Sequence, residues 1–157
     1  MTTIEVELST AKHVKELIKT LRQRDLEEAS ALGVDPEKAL FYSYRHASYR
    51  KTALIDGVVS AMWGVQGSLV GNYGYPYLVT GHLVESIPAR RFINIYLDEV
   101  QQMRKIFPYM ENYVDANYKG AVKMLKLAGF KLENPQTYGP LNKLFQRFIL
   151  ETKEGSL

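Results

Sequence analysis

The stretch from Val84 to Leu132, VESIPARRFINIYLDEVQQMRKIFPYMENYVDANYKGAVKMLKLAGFKL, decides how this chain folds. Pro88 can open a helix, because the first helical position needs no N–H. From there Phe92, Tyr96, Val100, Met103 and Phe107 recur at helical spacing, which predicts a long amphipathic helix over about Pro88–Ile106. Pro108 closes it. Met110 to Val114 reads as a short strand. Lys119 to Ala128 reads as a second helix, with Ala121, Val122, Leu125 and Ala128 facing inward. Gly129 ends that helix, and Phe130 to Leu132 begins another strand.

Upstream, Ile4, Val6 and Leu8 alternate with Glu5 and Glu7, the pattern of a half-buried strand. Ser9 or Thr10 can cap the next helix, which carries Val14, Leu17, Ile18 and Leu21. A second helical piece runs from Asp25 to Leu32 and stops at Gly33. Asp35-Pro36-Glu37 starts a third, to about His46. Tyr49–Ile55 and Val58–Gln66 then read as strands joined at Asp56-Gly57, with a further strand over about Tyr75–Gly81. Downstream, Glu133 to Asn142 is a polar loop and Leu144 to Leu150 a final strand. The order β-α-α-α-β-β-β-α-β-α-β-β predicts one mixed α/β (α+β) domain over residues 1–150. Its sheet should be mostly antiparallel and flanked by helices, with a flexible tail over 151–157.

Composition narrows the chemistry. The 157 residues include no cysteine, which excludes disulfides, cysteine nucleophiles and cysteine-ligated zinc. Three scattered histidines offer no metal-ligand spacing. A net charge of +3 and a pI of about 9.0 admit an anionic ligand, but no dense Lys/Arg block marks a nucleic-acid surface. The acidic start, with Glu5 and Glu7, does not read as a signal peptide. Gly57 to Leu83 contains no Asp, Glu, Lys or Arg, yet glycines, Asn72 and Pro76 break it into strands and turns rather than a membrane helix.

The helix–strand–helix–Gly129-Phe130 pattern and the full element order resemble the GNAT acyltransferases. The resemblance implies a sheet that cradles acyl-CoA, with the pyrophosphate held at the start of the long helix. Free N–H groups and the positive helix end suit an anion there. The family motif in that loop is Arg/Gln-x-x-Gly-x-Gly/Ala. Here it falls on Arg90, Arg91, Phe92, Ile93, Asn94 and Ile95, with isoleucine at both glycine positions. The family's later asparagine corresponds to Tyr118, with Asn117 one residue early, and its tyrosine acid corresponds to Leu125. Ala121, Gly129 and Phe130 match. The implied cofactor-binding set is Arg90–Ile95 plus Asn117, and the implied cofactor is acetyl-CoA. The alternative for Arg90 and Arg91 is a solvated pair meeting Glu85 or another carboxylate.

A second resemblance, to small GNAT-like proteins of short-tailed phages known as internal virion proteins or acetyltransferases, rests on three segments. These are Asp25–Val34 followed by Pro36, Pro88–Met103, and Tyr113 through Asn117 to Phe130. It implies a virion or assembly component in the host cytoplasm or virion, with a degenerate acyl-CoA site and weak or absent catalysis. The alternative is an active acetyl-CoA-dependent N-acetyltransferase.

Acyl transfer to an amine needs a base, and His82 and Glu85 flank the expected position. The alternative makes His82 a turn residue and Glu85 a helix cap or a partner of Arg90. Tyr118 is the candidate acid. His13 falls on a polar helix face and is expected to be solvated. Lys119, Lys123 and Lys126 form a basic stripe on the last helix. Tyr73, Tyr75 and Tyr77 alternate along one strand side, either as a docking surface for a virion or host protein or as a half-buried sheet face.

Overall fold

The computed structural model describes residues 2–68 and 70–152. In chain order the elements are β1 (Ile4–Leu8), α1 (Ala11–Ile18), α2 (Gln23–Leu32), α3 (Pro36–His46), β2 (Ala47–Ile55), β3 (Val58–Ser68) and β4 (Tyr73–Thr80). A 3₁₀ turn (His82–Ser86), α4 (Ala89–Ile106), β5 (Tyr109–Asp115), α5 (Lys119–Leu127), β6 (Lys131–Leu132), β7 (Gln136–Tyr138) and β8 (Lys143–Glu151) follow. The strands form one sheet in the order β1-β2-β3-β4-β5-β8-β6, with β7 also on β8. Every pairing is antiparallel except β4 with β5. This is the mixed, mostly antiparallel α/β sheet flanked by helices that the sequence predicts.

Several differences have local causes. The turn over His82–Ser86 has no hydrophobic period to announce it. The loop expected at Glu133–Asn142 contains β7, because Gln136 to Tyr138 pair with Phe145 to Lys143. Pro135 lies between β6 and β7 and leaves two short edge pieces instead of one strand. Glu151 belongs to β8, and Thr152 N donates to Pro108 O at 2.7 Å. The expected tail beyond these, 153–157, lies outside the described residues. His13 is buried rather than solvated. Its backbone N donates to the Thr10 hydroxyl and its Nδ1 accepts from Thr10 N, so it completes a capping box usually built with Glu. Its Nε2 meets Glu7 Oε1 at 3.1 Å.

The sheet has two packed faces. On β3, Ala61, Trp63 and Val65 join the cluster under α4 and α5, while Met62 joins the one under α1 and α3. A register shift between Ala53 and Leu54 skips Ser60 and brings Val59 to the same face as Met62. The expected stripe on α4 is buried as Phe92, Tyr96, Val100 and Met103, with Phe107 just beyond. Trp63 is fully buried and meets Phe92 and Tyr96 edge-on at 6.3 and 6.2 Å. Its Nε1 donates to Glu99 Oε2 at 3.2 Å, and the Tyr49 hydroxyl donates to the same oxygen.

One pairing decides where a cavity can form. The parallel ladder between β4 and β5 holds only at Tyr73–Tyr109 and Gly74–Met110. Pro76 follows, paired with Val65 on its β3 side. A proline has no N–H to continue a ladder on its other side. The strands therefore part, and the Asn112 side chain spans back, its Nδ2 donating to Pro76 O at 2.9 Å. Gly74 is the last point of contact: a Cβ there would meet Phe107 Cγ and Val65 Cγ2, each at 2.7 Å. Gly74→Ala is expected to lower unfolding free energy by about 1–3 kcal/mol through overpacking. Urea denaturation would measure this, and an unchanged midpoint would show that the strand junction has room to spare.

Candidate active site

The gap between β4 and β5 opens into a cavity of about 510 Å³. Pro76 and Leu78 of β4 and Asn112 and Val114 of β5 form its margins. On the α4 and α5 side it is apolar, lined by Ile87, Phe92, Ile93, Ala121, Met124 and Leu125. The first turns of α4 and α5 both reach it, through Ala89 and Gly120. Neither helix has a side-chain cap on its leading N–H groups. Uncapped N–H groups at two helix starts beside an apolar channel suit a ligand with an acidic end and a thin apolar arm.

One mouth is built by α2, which lies across the C-terminal ends of β4 and β5. Asp25 and Glu28 share one face of that helix at the i, i+3 spacing, and each reaches a different strand. Asp25 accepts from Thr80 twice, at Oδ2 from the hydroxyl (2.8 Å) and at Oδ1 from the backbone N (3.4 Å). Glu28 Oε2 accepts a long 3.4 Å bond from Asp115 N, its one partner among the described residues. Arg24 Nη1 donates to Asn117 O at 3.1 Å and completes the bridge to the β5 side.

Burial raises both carboxyl pKa values. Asp25 is pushed up to about 6, with the Thr80 hydrogen bonds working against the shift. Glu28 is pushed up to about 7, again by burial, with the Asp115 N–H opposing and the Asp25 and Asp115 charges adding to it. The two are not equivalent as bases. Asp25 has both oxygens engaged, while Glu28 keeps lone pairs free. Tyr118, at the start of α5, lines the same mouth. The Arg22 and Arg24 guanidinium carbons lie 5.7 and 5.5 Å from its ring centre. Burial and the Asp25 charge raise its phenol pKa, so the hydroxyl keeps its proton near neutral pH.

The residues singled out from the sequence scatter across this frame. Tyr118 lines the cavity, as do Glu85, Phe92 and Ile93. Glu85 is exposed and meets Arg22, not Arg90, with Nε–Oε1 at 2.9 Å. His82 begins the 3₁₀ turn, is exposed, and does not line the cavity. Arg90 and Arg91 are exposed on the first turn of α4, and Arg91 Nη1 donates to Thr2 O at 3.1 Å. Asn94 is exposed and Ile95 packs against the core, because Ile93 to Ile95 are already inside the helix and not in a loop. Asn117 is exposed ahead of α5 and does not line the cavity. The lysines of α5 are exposed. Asp25 and Glu28 escaped the sequence reading. The signal was present as two acids three residues apart in Asp25-Leu26-Glu27-Glu28, but an acidic helix face is ordinarily solvated.

No protein-family model and no curated protein matches the sequence. Solved structures do match over nearly its whole length. They include the ribosomal-protein-S5-alanine acetyltransferase of Vibrio fischeri, 10% identical, with a TM-score of 0.69 and 98% of each chain covered. An acetyltransferase of the GNAT family from Streptococcus pneumoniae is 15% identical, with a TM-score of 0.64 over 96% of this chain and 100% of the other. A Salmonella typhimurium protein solved with its cofactor acetyl-CoA is 12% identical, with a TM-score of 0.64 over 98% of this chain and 96% of the other. At such identities the likeness is one of fold, and the fold is that of the GNAT acetyltransferases.

The raised pKa of Glu28 carries a stability consequence. Its folded value of about 7 exceeds its ordinary value of 4.5. Ionisation therefore opposes folding above about pH 7, and the penalty fades as pH falls through 7 towards 4.5. Glu28→Gln is expected to be more stable than the parent by on the order of 2–3 kcal/mol at about pH 8, with the advantage lost by about pH 4. Thermal melts at the two pH values test this, and equal offsets at both would show that Glu28 is not desolvated.

Proposed function

We propose that this chain transfers an acyl group from acyl-CoA to an amine. The observation that carries this reading is the cavity through the parted strands, with two partly buried carboxylates at one mouth and two uncapped helix starts along its wall. The acetyl-CoA of the Salmonella neighbour supports the choice of cofactor. The residues present fit that group. The apolar channel beside Ala121, Met124 and Leu125 takes a thin pantetheine arm, and the leading N–H groups of α4 take phosphate. The bound thioester supplies the activated acyl carbon.

Glu28 accepts the proton of the incoming ammonium and leaves a neutral nitrogen to attack. A pKa of about 7 suits a base working at neutral pH. Asp25, held by Thr80, fixes the α2 roof over β4 and keeps a negative charge beside the amine. The C–N bond forms as the C–S bond breaks, and the Tyr118 hydroxyl donates a proton to the departing sulfur. The proton lost by the acylated nitrogen restores the Tyr118 hydroxyl, and Glu28 releases its proton to solvent. Leu125 holds the position that the family resemblance gives to the acid, so Tyr118 does that work from the helix start.

A second reading follows from the sequence resemblance to phage proteins. It makes the chain a virion or assembly component in the host cytoplasm or virion, with a degenerate acyl-CoA site. What favours it is the pair Ile93 and Ile95 where the motif has glycines, together with the exposed rings of Tyr75, Tyr113 and Tyr138 as a surface for a virion or host protein. The phage assignment rests on sequence pattern alone.

Calorimetry and turnover separate the two. The parent is expected to bind acetyl-CoA, and Ala121→Trp to abolish binding by filling the channel while keeping the fold by circular dichroism. Changing Arg90 and Arg91 to alanine should cost little, since neither lines the cavity. With any accepted amine, Glu28→Gln is expected to lower kcat by about 10²- to 10⁴-fold. Absence of acetyl-CoA binding by the parent would overturn the acyltransferase reading in favour of the scaffold.

A further inference from the structure

The carboxylate mouth says what kind of amine enters. Tyr77 of β4 packs with the cluster under α1 and α3. Tyr113 alternates with core-facing Met110 and Val114 and so projects to that same face of the sheet. Both rings line the cavity, as does Tyr118, and Asp25 and Glu28 reach in from α2 above them. Tyr113 is 40% exposed, and its outward side is taken by Tyr138, stacked at 4.4 Å with 6° between the planes. The stack occupies one face of the ring, and Tyr113 also lines the cavity.

The charge around this mouth is one-sided. Among the described residues lining the cavity, the acids are Asp25, Glu28 and Glu85, and the one base is Arg22. Arg22 is engaged, with Nε on Glu85 and its guanidinium over Tyr118. Arg24, which does not line this cavity, is held by Asn117 O. Among the described residues lining the cavity, three acids stand against one arginine whose charge is already paired with Glu85, so a carboxylate carried next to the reacting nitrogen meets no unpaired cation. Such a carboxylate would instead stand against Asp25 and Glu28 in a site of low dielectric, where like charges are strongly unfavourable.

We infer that the acceptor is an alkylammonium with no carboxylate on the carbon next to its nitrogen, held by the Asp25 and Glu28 carboxylates against the faces of Tyr77 and Tyr113, the Tyr118 ring being covered by Arg22 and Arg24. Tyrosine faces attract an organic cation through the ring quadrupole, and the carboxylates add charge-assisted hydrogen bonds. A free α-amino acid is rejected, while a polyamine or a simple alkylamine is accepted. This deepens the acyltransferase reading of the same cavity and rests on it for the fate of the bound amine.

The test is an NMR titration of the full chain at about pH 8, above both carboxyl pKa values, so that the carboxylates are ionised. The probes are butylamine, spermidine and glycine. Butylamine and spermidine are expected to shift resonances of Tyr113 and Tyr118 and to bind at least about tenfold more tightly than glycine. Glu28→Gln should weaken butylamine by about tenfold, and Tyr113→Ala by several-fold. Tyr113→Phe should keep the affinity, since the ring face and not the hydroxyl meets the cation. A purely packing role for Tyr113 would not produce that rescue. Glycine binding as tightly as butylamine, no binding of either alkylamine, or indifference to Glu28→Gln would each overturn the inference.

Acetyl-CoA binding, measured on the same samples, separates the two claims. Acetyl-CoA bound without alkylamine would sink the acceptor assignment alone. Alkylamine bound without acetyl-CoA would sink acyl transfer while leaving the cation site standing.

Discussion

Everything functional in this chain depends on one ladder that is abandoned early. Strands β4 and β5 begin as parallel neighbours and keep that contact for only two residue pairs. A parallel pair is stable when its hydrogen bonds continue, and Pro76 withdraws a donor just past the junction at Gly74. What would have been sheet becomes a cavity with a strand on each side. The helices then arrange themselves around it, with α4 and α5 filling one face and α2 laid over the open strand ends. Asn112 meets the carbonyl of Pro76 with a side-chain amide, so the broken ladder leaves that acceptor paired.

The fold was largely legible because its signals are periodic. The stripe from Phe92 to Met103, the alternation in β1, and the proline and glycine boundaries each express one geometric repeat, and the structure keeps them. The site was less legible because it is assembled by tertiary contacts that leave no periodic trace. Glu28 looks like any acid on a polar helix face until Asp115 is placed beneath it. Glu85 looked like a partner for nearby Arg90, yet Arg22, 63 positions away, reaches it first. His13 was read from its helix face alone and could not be seen to close a cap with Thr10 and meet Glu7. Tyr118 was found, but through a family position whose usual occupant lies further along the helix.

The carboxylates at the mouth are a local conflict in an otherwise consistent structure. Partly burying two acids three residues apart raises their pKa values and costs folding free energy, and a neutral pair would pack there more comfortably. Such conflicts gather where charge is needed by something outside the chain. The Glu99 carboxylate makes the contrast clear. It too is partly buried, but two donors from Tyr49 and Trp63 satisfy it, and it ties α4 to the sheet.

The interrupted edge at Pro135 bears on how the molecule behaves in a crowded solution. A long, straight outer strand offers a row of free backbone groups on which another chain can assemble. Here that side of the sheet is divided into a two-residue and a three-residue piece, too short to template a neighbour. On the far side β1 exposes Val6 and Leu8, but Glu5 and Glu7 alternate with them and set like charges against any second copy aligning there. The sheet is thereby guarded at both margins against growing into a fibre, one by broken geometry and the other by repulsion.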